Sequence, residues 1–385
     1  MTDTAPPRLT LRQRWYRLRT SPRFPFVLFF GLLVAGGLSQ VYCYWWGVRI
    51  QWMVARHGGG VGRNFVFRPA WTRWIPDKTL DPLEPIVSVG LTPSTLLPVS
   101  DVTLLEGLWS LQGLTVDGPV SSAAWQRVPQ LTGLTGVHLE ATVLIDGDFE
   151  CLARLPRLLS LSIGQSTIEA SGLRHFAKHP TLSVLSVSNV KTWAEPFDHE
   201  LPRDKWPQAA GPTTFPVELM RELATSQNLR RLCLRNCPGF GDEHLLALTS
   251  ALSDGGEPLP WLNALDLSET GITSRGLTLL GNLPMLQDLD LSATGVTDDG
   301  LAALKKIATL RTLILAHTSI GDGAVETLTT MQNLEVLNVN ATNISEAGLL
   351  ELIALKNLRR LVLNRRLSDE MLLQLRSHLP CYVEE

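Results

Sequence analysis

Residues 262–285 read LNALDLSETGITSRGLTLLGNLPM, and residues 286–309 read LQDLDLSATGVTDDGLAALKKIAT. The same phrase starts again at Leu310, Leu334 and Leu358, so five anchors stand 24 residues apart. Each copy opens on an L-x-x-L-x-L run, as in Leu262/Leu265/Leu267 and Leu286/Leu289/Leu291. A threonine follows eight residues past the first four anchors (Thr270, Thr294, Thr318, Thr342), with a branched apolar residue two further on (Ile272, Val296, Ile320, Ile344). Next comes a small residue before an apolar one (Gly276-Leu277, Gly300-Leu301, Ala324-Val325, Gly348-Leu349), and the unit closes on apolar residues three apart, as at Leu280/Leu283 and Leu304/Ile307.

The L-x-L alternation puts alternate side chains on one face of a short strand, and the three-residue spacing puts a stripe on a helix. One copy carries too little apolar surface to offset the ordering of its backbone, so copies must stack. The fold class expected is α/β: a leucine-rich-repeat solenoid with a parallel sheet on its concave face and helices on its convex face. The threonine hydroxyl is suited to bond backbone groups of the turn.

Weaker copies extend the array towards the N-terminus. Ile86-Val87-Ser88-Val89 reads as a first strand, followed by units anchored at Leu111, Leu134, Leu158, Leu182 and Leu229. Ten or eleven units result, and the repeat domain spans residues 83–381. The units at Leu182 and Leu229 are longer than the rest. The larger excess is a proline-rich insertion at 190–216 that carries Trp193, Phe197 and Trp206. The array loses its pattern after Asn364, as a terminal cap should, with Leu372, Leu375 and Leu379 in a closing helix.

Ahead of the array, residues 1–25 hold six arginines and one acid, Asp3. Residues 26–46 are uncharged, mostly apolar and end in Tyr42, Tyr44, Trp45 and Trp46. That length spans a bilayer core of about 30 Å, and the aromatic end suits its interface. The segment reads as a transmembrane helix, the alternative being a cleaved signal peptide with a small-residue site at Ala35-Gly36-Gly37. Six arginines before the span against Arg49, Arg56 and Arg63 after it place the N-terminus in the cytoplasm and the repeats outside, in a periplasmic setting. Residues 47–82 are then a juxtamembrane linker, beginning as an interfacial helix (Val48, Trp52 and Met53 among Arg49 and Arg56) and reaching Gly58-Gly59-Gly60 as a helix stop or flexible joint. With its arginine-rich head, apolar span, Gly59-Gly60-Val61 turn and L-x-x-L-x-L-x-x-T-x-I repeats, the chain resembles the bacterial membrane-anchored leucine-rich-repeat proteins. The resemblance implies this architecture and a binding role, and it supplies no catalytic residue.

A net charge of −3 in 385 residues argues against a nucleic-acid partner. Five cysteines (Cys43, Cys151, Cys233, Cys237, Cys381) have no regular spacing and define neither a disulfide framework nor a zinc site. Asp288-x-Asp290-x-Ser292 with Asp299 imitates part of a calcium loop, but Ala293 replaces the required glycine. His175 and His179 stand four apart without the acid of a metalloprotease helix and read as convex-face residues. No nucleophile has a base at readable spacing, so no enzyme, cofactor or metal is expected. Function then rests on surface. The residues alternating with the core leucines form a concave column, in which Asp266, Asp288, Asp290, Ile314, Asn338 and Arg360 are candidate partner-binding residues, together with Trp193, Phe197 and Trp206 of the insertion. The expected role is a membrane-anchored, non-catalytic protein- or peptide-binding module. The alternatives are a self-associating envelope protein and, with the anchor inverted, an adaptor facing the cytoplasm.

Overall fold

The structure is a computed structural model that describes residues 46, 48–63, 86–108, 110–192, 214–250, 257–363, 373–375 and 382–384. Residues 1–45, and with them nearly all of the apolar span, lie outside the described residues, as do Trp193, Phe197 and Trp206. Among the described residues no helix is long and apolar enough to cross a membrane.

The strands are β1 (Gly60–Arg63), β2 (Ile86–Leu91), β3 (Gly113–Asp117), β4 (Gly136–Glu140), β5 (Val143–Leu144), β6 (Ser160–Gly164), β7 (Thr167–Ile168), β8 (Val184–Ser188), β9 (Lys191–Thr192), β10 (Arg231–Cys233), β11 (Ala264–Asp266), β12 (Asp288–Asp290), β13 (Thr312–Ile314), β14 (Val336–Asn338), β15 (Arg360–Val362) and β16 (Tyr382–Glu384). One long sheet runs β1-β2-β3-β4-β6-β8-β10-β11-β12-β13-β14-β15-β16, parallel throughout except for the β1–β2 pair. The short strands β5, β7 and β9 form a second small sheet just past the main one. Helical turns return each unit to the next strand. Because strands stack about 4.8 Å apart and helices need about 8–10 Å, the sheet side becomes the concave one.

The anchor leucines behave as their spacing requires. Leu262, Leu286, Leu334 and Leu358 are fully buried, as are the strand-centre residues Leu313, Leu337 and Leu361. The 24-residue register is kept from strand to strand, with Ala264 opposite Asp288, then Thr312, Val336 and Arg360. Each threonine hydroxyl donates to the carbonyl at its strand's end: Thr270 to Leu267, Thr294 to Leu291, Thr318 to Leu315 and Thr342 to Val339. The carbonyl that leaves the ladder is thereby paired inside the turn.

Three boundaries differ from the sequence reading. First, residues 48–63 belong to the solenoid and are not a linker. In the helix over residues 48–56, Ile50, Met53 and Val54 are buried in the same core as the first repeats. Trp46, assigned to the membrane interface, packs where a side chain on Gly107 would stand. Gly58 ends the helix at φ +71°, and Gly59 N–H donates back to the Val54 carbonyl, a helix stop. The glycines that follow are no flexible joint. They form β1, and a Cβ on Gly59 would lie 1.8 Å from the Gly90 carbonyl oxygen. β1 thus covers the edge of β2, which would otherwise offer unpaired backbone.

Second, the insertion is narrower than 190–216. Val190 and Thr192 fill the buried turn positions of their unit, β9 pairs with β7, and Phe215 returns to the core at 1% exposure. The helix Val217–Ala224 completes the interrupted unit, and β8 pairs directly with β10, so the sheet is continuous across the insertion. Third, the array does not close at 381. β16 adds a further parallel strand beyond β15, a feature too short and too irregular to read from the sequence.

Candidate functional site

The parallel register divides the concave face into two rows. The first holds Arg231, Ala264, Asp288, Thr312, Val336 and Arg360; the second holds Cys233, Asp266, Asp290, Ile314, Asn338 and Val362. Of the candidate residues, Asp266, Asp290, Ile314 and Asn338 therefore share the second row, while Asp288 and Arg360 stand in the first. The N-terminal half of the same face presents mostly small groups, including Gly113, Gly136, Ser160 and Ser186.

The rows differ in what their polar groups already do. Asp266 accepts hydrogen bonds from the backbone N–H and hydroxyl of Ser268, and Asp290 accepts the same pair from Ser292. Asn338 accepts from the Asn340 N–H in the same way. These are turn-closing bonds made by short side chains two residues ahead. The Cys233 thiol donates to Asp266 at 3.2 Å. Burial, reinforced by that carboxylate, pushes its pKa up to about 11. A thiol so disposed is a poor nucleophile. Burial also raises the Asp290 carboxyl above its usual range, against the opposing bonds from Ser292.

In the first row, the Asp288 carboxylate and the Arg231 guanidinium make no side-chain hydrogen bond or ion pair among the described residues. They lie two strands apart, roughly 10 Å, with Ala264 between them. A shallow depression of about 350 Å³ covers this part of the face, lined by Arg231, Ala264, Asp288, Thr312 and Ile314 among others. The site has two open charges of opposite sign, an apolar floor and a second row whose acids are tied down. Arg231 was absent from the sequence candidates because the two overlong units on either side of Leu229 obscured its place in the column. The register of β10 with β11 recovers it.

The chemistry rejected at the sequence level is placed as follows. His175 Nε2 meets Asp146 Oδ1 at 3.1 Å, and Arg174 pairs with the same carboxylate. His179 is a correction: it is buried at 4% exposure and does not face the convex surface. Its Nε2–H donates to the Leu155 carbonyl and its Nδ1 accepts from the Leu182 N–H, so the ring replaces backbone bonds between two units. Burial lowers its pKa. Among the described residues, no cluster of three or more His, Cys, Asp or Glu side chains is placed to hold a metal ion. Cys237, eight residues past Leu229 where the regular units carry their threonine, is buried.

Residues 259–281 and 282–305 match the leucine-rich repeat family. The chain therefore carries leucine-rich repeats in the region where the period is most regular. No curated protein matches it. Among solved structures, it is similar to an internalin (InlF) from Listeria monocytogenes at 15% identity, covering 72% of this chain and 73% of that one, with a TM-score of 0.43. It is also similar to internalin C2 from the same organism at 17% identity, covering 69% of this chain and 92% of that one, with a TM-score of 0.42.

Proposed function

We propose that this chain is a non-catalytic scaffold that binds an extended protein or peptide segment on its concave face. The observation that carries the reading is the pair of open charges, Arg231 and Asp288, set on a shallow apolar depression in a rigid sheet. A flat sheet face without a deep cavity suits an extended chain better than a small molecule, which needs enclosure on most sides. The two charges select a partner carrying an acidic and a basic side chain roughly 10 Å apart, a spacing of about three residues in extended backbone. The apolar floor at Ala264 and Ile314 takes the side chains between them.

Residues 26–46 hold this scaffold to a membrane, with the repeats on the extracytoplasmic side. Their length, lack of charge and the aromatic residues Tyr42, Tyr44 and Trp45 support the span, and the arginine excess ahead of them supports the orientation. Protease accessibility of the repeats in cells whose outer layer alone is permeabilised tests the orientation. Digestion with the inner membrane intact supports it, and protection until that membrane is lysed reverses it.

For the binding face, Asp288→Lys is the informative change, because Asp288 closes no turn. With a partner captured from envelope proteins by the full chain, the variant should bind about tenfold or more weakly at unchanged thermal stability, as loss of one well-placed charge does. Equal capture would remove this face as the site.

A further inference from the structure

The helix over residues 48–56 has two unlike faces. Ile50, Met53 and Val54 point into the solenoid and are nearly or fully buried. The opposite face carries Arg49, Trp52 and Arg56, and Trp52 is 74% exposed. The core already has its share of this helix, and among the described residues nothing buries the indole set between the two arginines. Residues three and four apart share one side of a helix, which makes these three a single patch.

Charge is distributed along the chain in the same sense. Residues 1–76 contain eleven arginines, no lysine and one acid, Asp3. Residues 77–385 hold the remaining 23 basic side chains against 36 acidic ones. The patch thus lies within a strongly cationic segment attached to an acidic solenoid. Among the described residues lining this face the one carboxylate, Asp101, is engaged by His57 Nε2 at 2.6 Å. The helix also begins where the uncharged stretch 26–46 ends. Trp46 lies against Gly107, with the Arg49 guanidinium 5.5 Å from the centre of its ring.

We propose that this face rests in the headgroup layer of an anionic phospholipid bilayer, with Trp52 at the interface and Arg49 and Arg56 on lipid phosphates. The inference rests on the reading that 26–46 spans the membrane. An amphipathic indole flanked by arginines is the composition such an interface selects, and each basic side chain near an anionic surface adds to the attraction. The consequence is mechanical. Because the inner face of the same helix is part of the solenoid core, the repeats do not swing on a tether. They are held at one orientation, with the first repeats against the bilayer.

The test uses the full chain reconstituted in vesicles of equimolar phosphatidylcholine and phosphatidylglycerol. A photoreactive benzophenone residue is placed at position 52 or, as a control, at Leu246, which is 52% exposed on the helix Asp242–Thr249. After irradiation, phospholipid adducts at position 52 should exceed those at 246 by about tenfold, in keeping with an interfacial against an aqueous location. The double variant Arg49→Gln/Arg56→Gln should lower the position-52 adduct without releasing the chain. Equal labelling at 52 and 246 in a chain that resists alkaline extraction overturns the inference and leaves the anchor standing. Release of the chain by alkaline extraction overturns the anchor, and the inference with it. An adduct as strong in pure phosphatidylcholine, unchanged by the arginine substitutions, overturns the assignment of the arginines to phosphates.

Discussion

One residue in each regular turn adopts a left-handed backbone. Ala141, Gln165, Asn189, Asn236, Glu269, Ala293, His317 and Ala341 all have φ between 46° and 57°. Each stands seven residues past its unit's anchor. The geometry turns the chain away from the strand while the N–H of that residue still reaches the next unit, as Ala293 N–H does to the Ala316 carbonyl. For a residue with a Cβ this conformation costs roughly 1–2 kcal/mol. Ala293→Gly should therefore raise the unfolding free energy by about 1 kcal/mol, the relief less the extra chain entropy. Urea titration measures it, and a loss of stability would mean that the alanine methyl makes a contact worth more than the strain.

Asp148 supplies a second effect at this scale. Its side chain is buried at 3% exposure on the helix Asp146–Ala153, accepting from the Ile145 N–H, and burial raises its pKa from 3.8 to about 7. The native state holds this proton more tightly than the unfolded chain does. The contribution to stability is thus full below pH 3.8 and is lost as pH rises towards 7, at about 1.4 kcal/mol per pH unit. Asp148→Asn keeps an acceptor for Ile145 without the charge. It should match the wild type near pH 4 and exceed it by a few kcal/mol near pH 8. Denaturation midpoints across that range check the sign. His179 acts in the opposite direction, since its lowered pKa makes the fold lose stability as pH falls below 6.5, and it does so equally in both proteins.

Between elements, the units are stitched by a bond that no repeat shows on its own. The residue opening one helical turn accepts from the backbone of the next unit: Asp242 from Thr273, Ser274 from Thr297, Asp298 from Gly321 and Asp322 from Ser345. The small-residue column exists to let these side chains in. A Cβ on Gly300 would lie 2.6 Å from the Ser274 side chain, and one on Gly348 would lie 2.4 Å from Asp322 Oδ1. Asp298→Ala leaves the Gly321 N–H without its partner and should cost about 1–2 kcal/mol, the usual penalty for orphaning a partly buried donor. Asp298→Asn should recover part of it. Equal stability of all three proteins in urea would show that water replaces the carboxylate there.

At the scale of the molecule, units bury their faces only against neighbours, so the two ends decide whether the array is soluble. The helix over 48–56 and β1 do this work at the N-terminal end. A fragment beginning at Gly47 should fold as a monomer, whereas one beginning at Asn64 exposes the β2 edge and the core beneath Ile50 and Met53. The shorter fragment should melt earlier and scatter light on warming. Matching thermal transitions would show that the first repeats close the array unaided.

The period, the strand and helix positions and the inward leucines are determined by the sequence alone. A 24-residue spacing of Leu262, Leu286, Leu310, Leu334 and Leu358 admits one local conformation per unit and one way to stack it. The turn threonines follow for the same reason, since their hydroxyl partners lie three residues away. Which polar groups remain open was decided only in the tertiary structure. Asp266 and Asp290 share one position of the repeat and Asp288 stands two residues earlier; the turn ties up the first two and leaves the third open, and strand pairing brings Arg231 into line with it. The cap was equally hidden. Met53 and Trp52 are neighbouring apolar residues in a basic helix, and only the packed first repeats determine that one enters the core while the other faces away. Local patterns are set by bonds a few residues long, whereas the open face and the sealed end depend on contacts between units, which the spacing within any one unit does not specify.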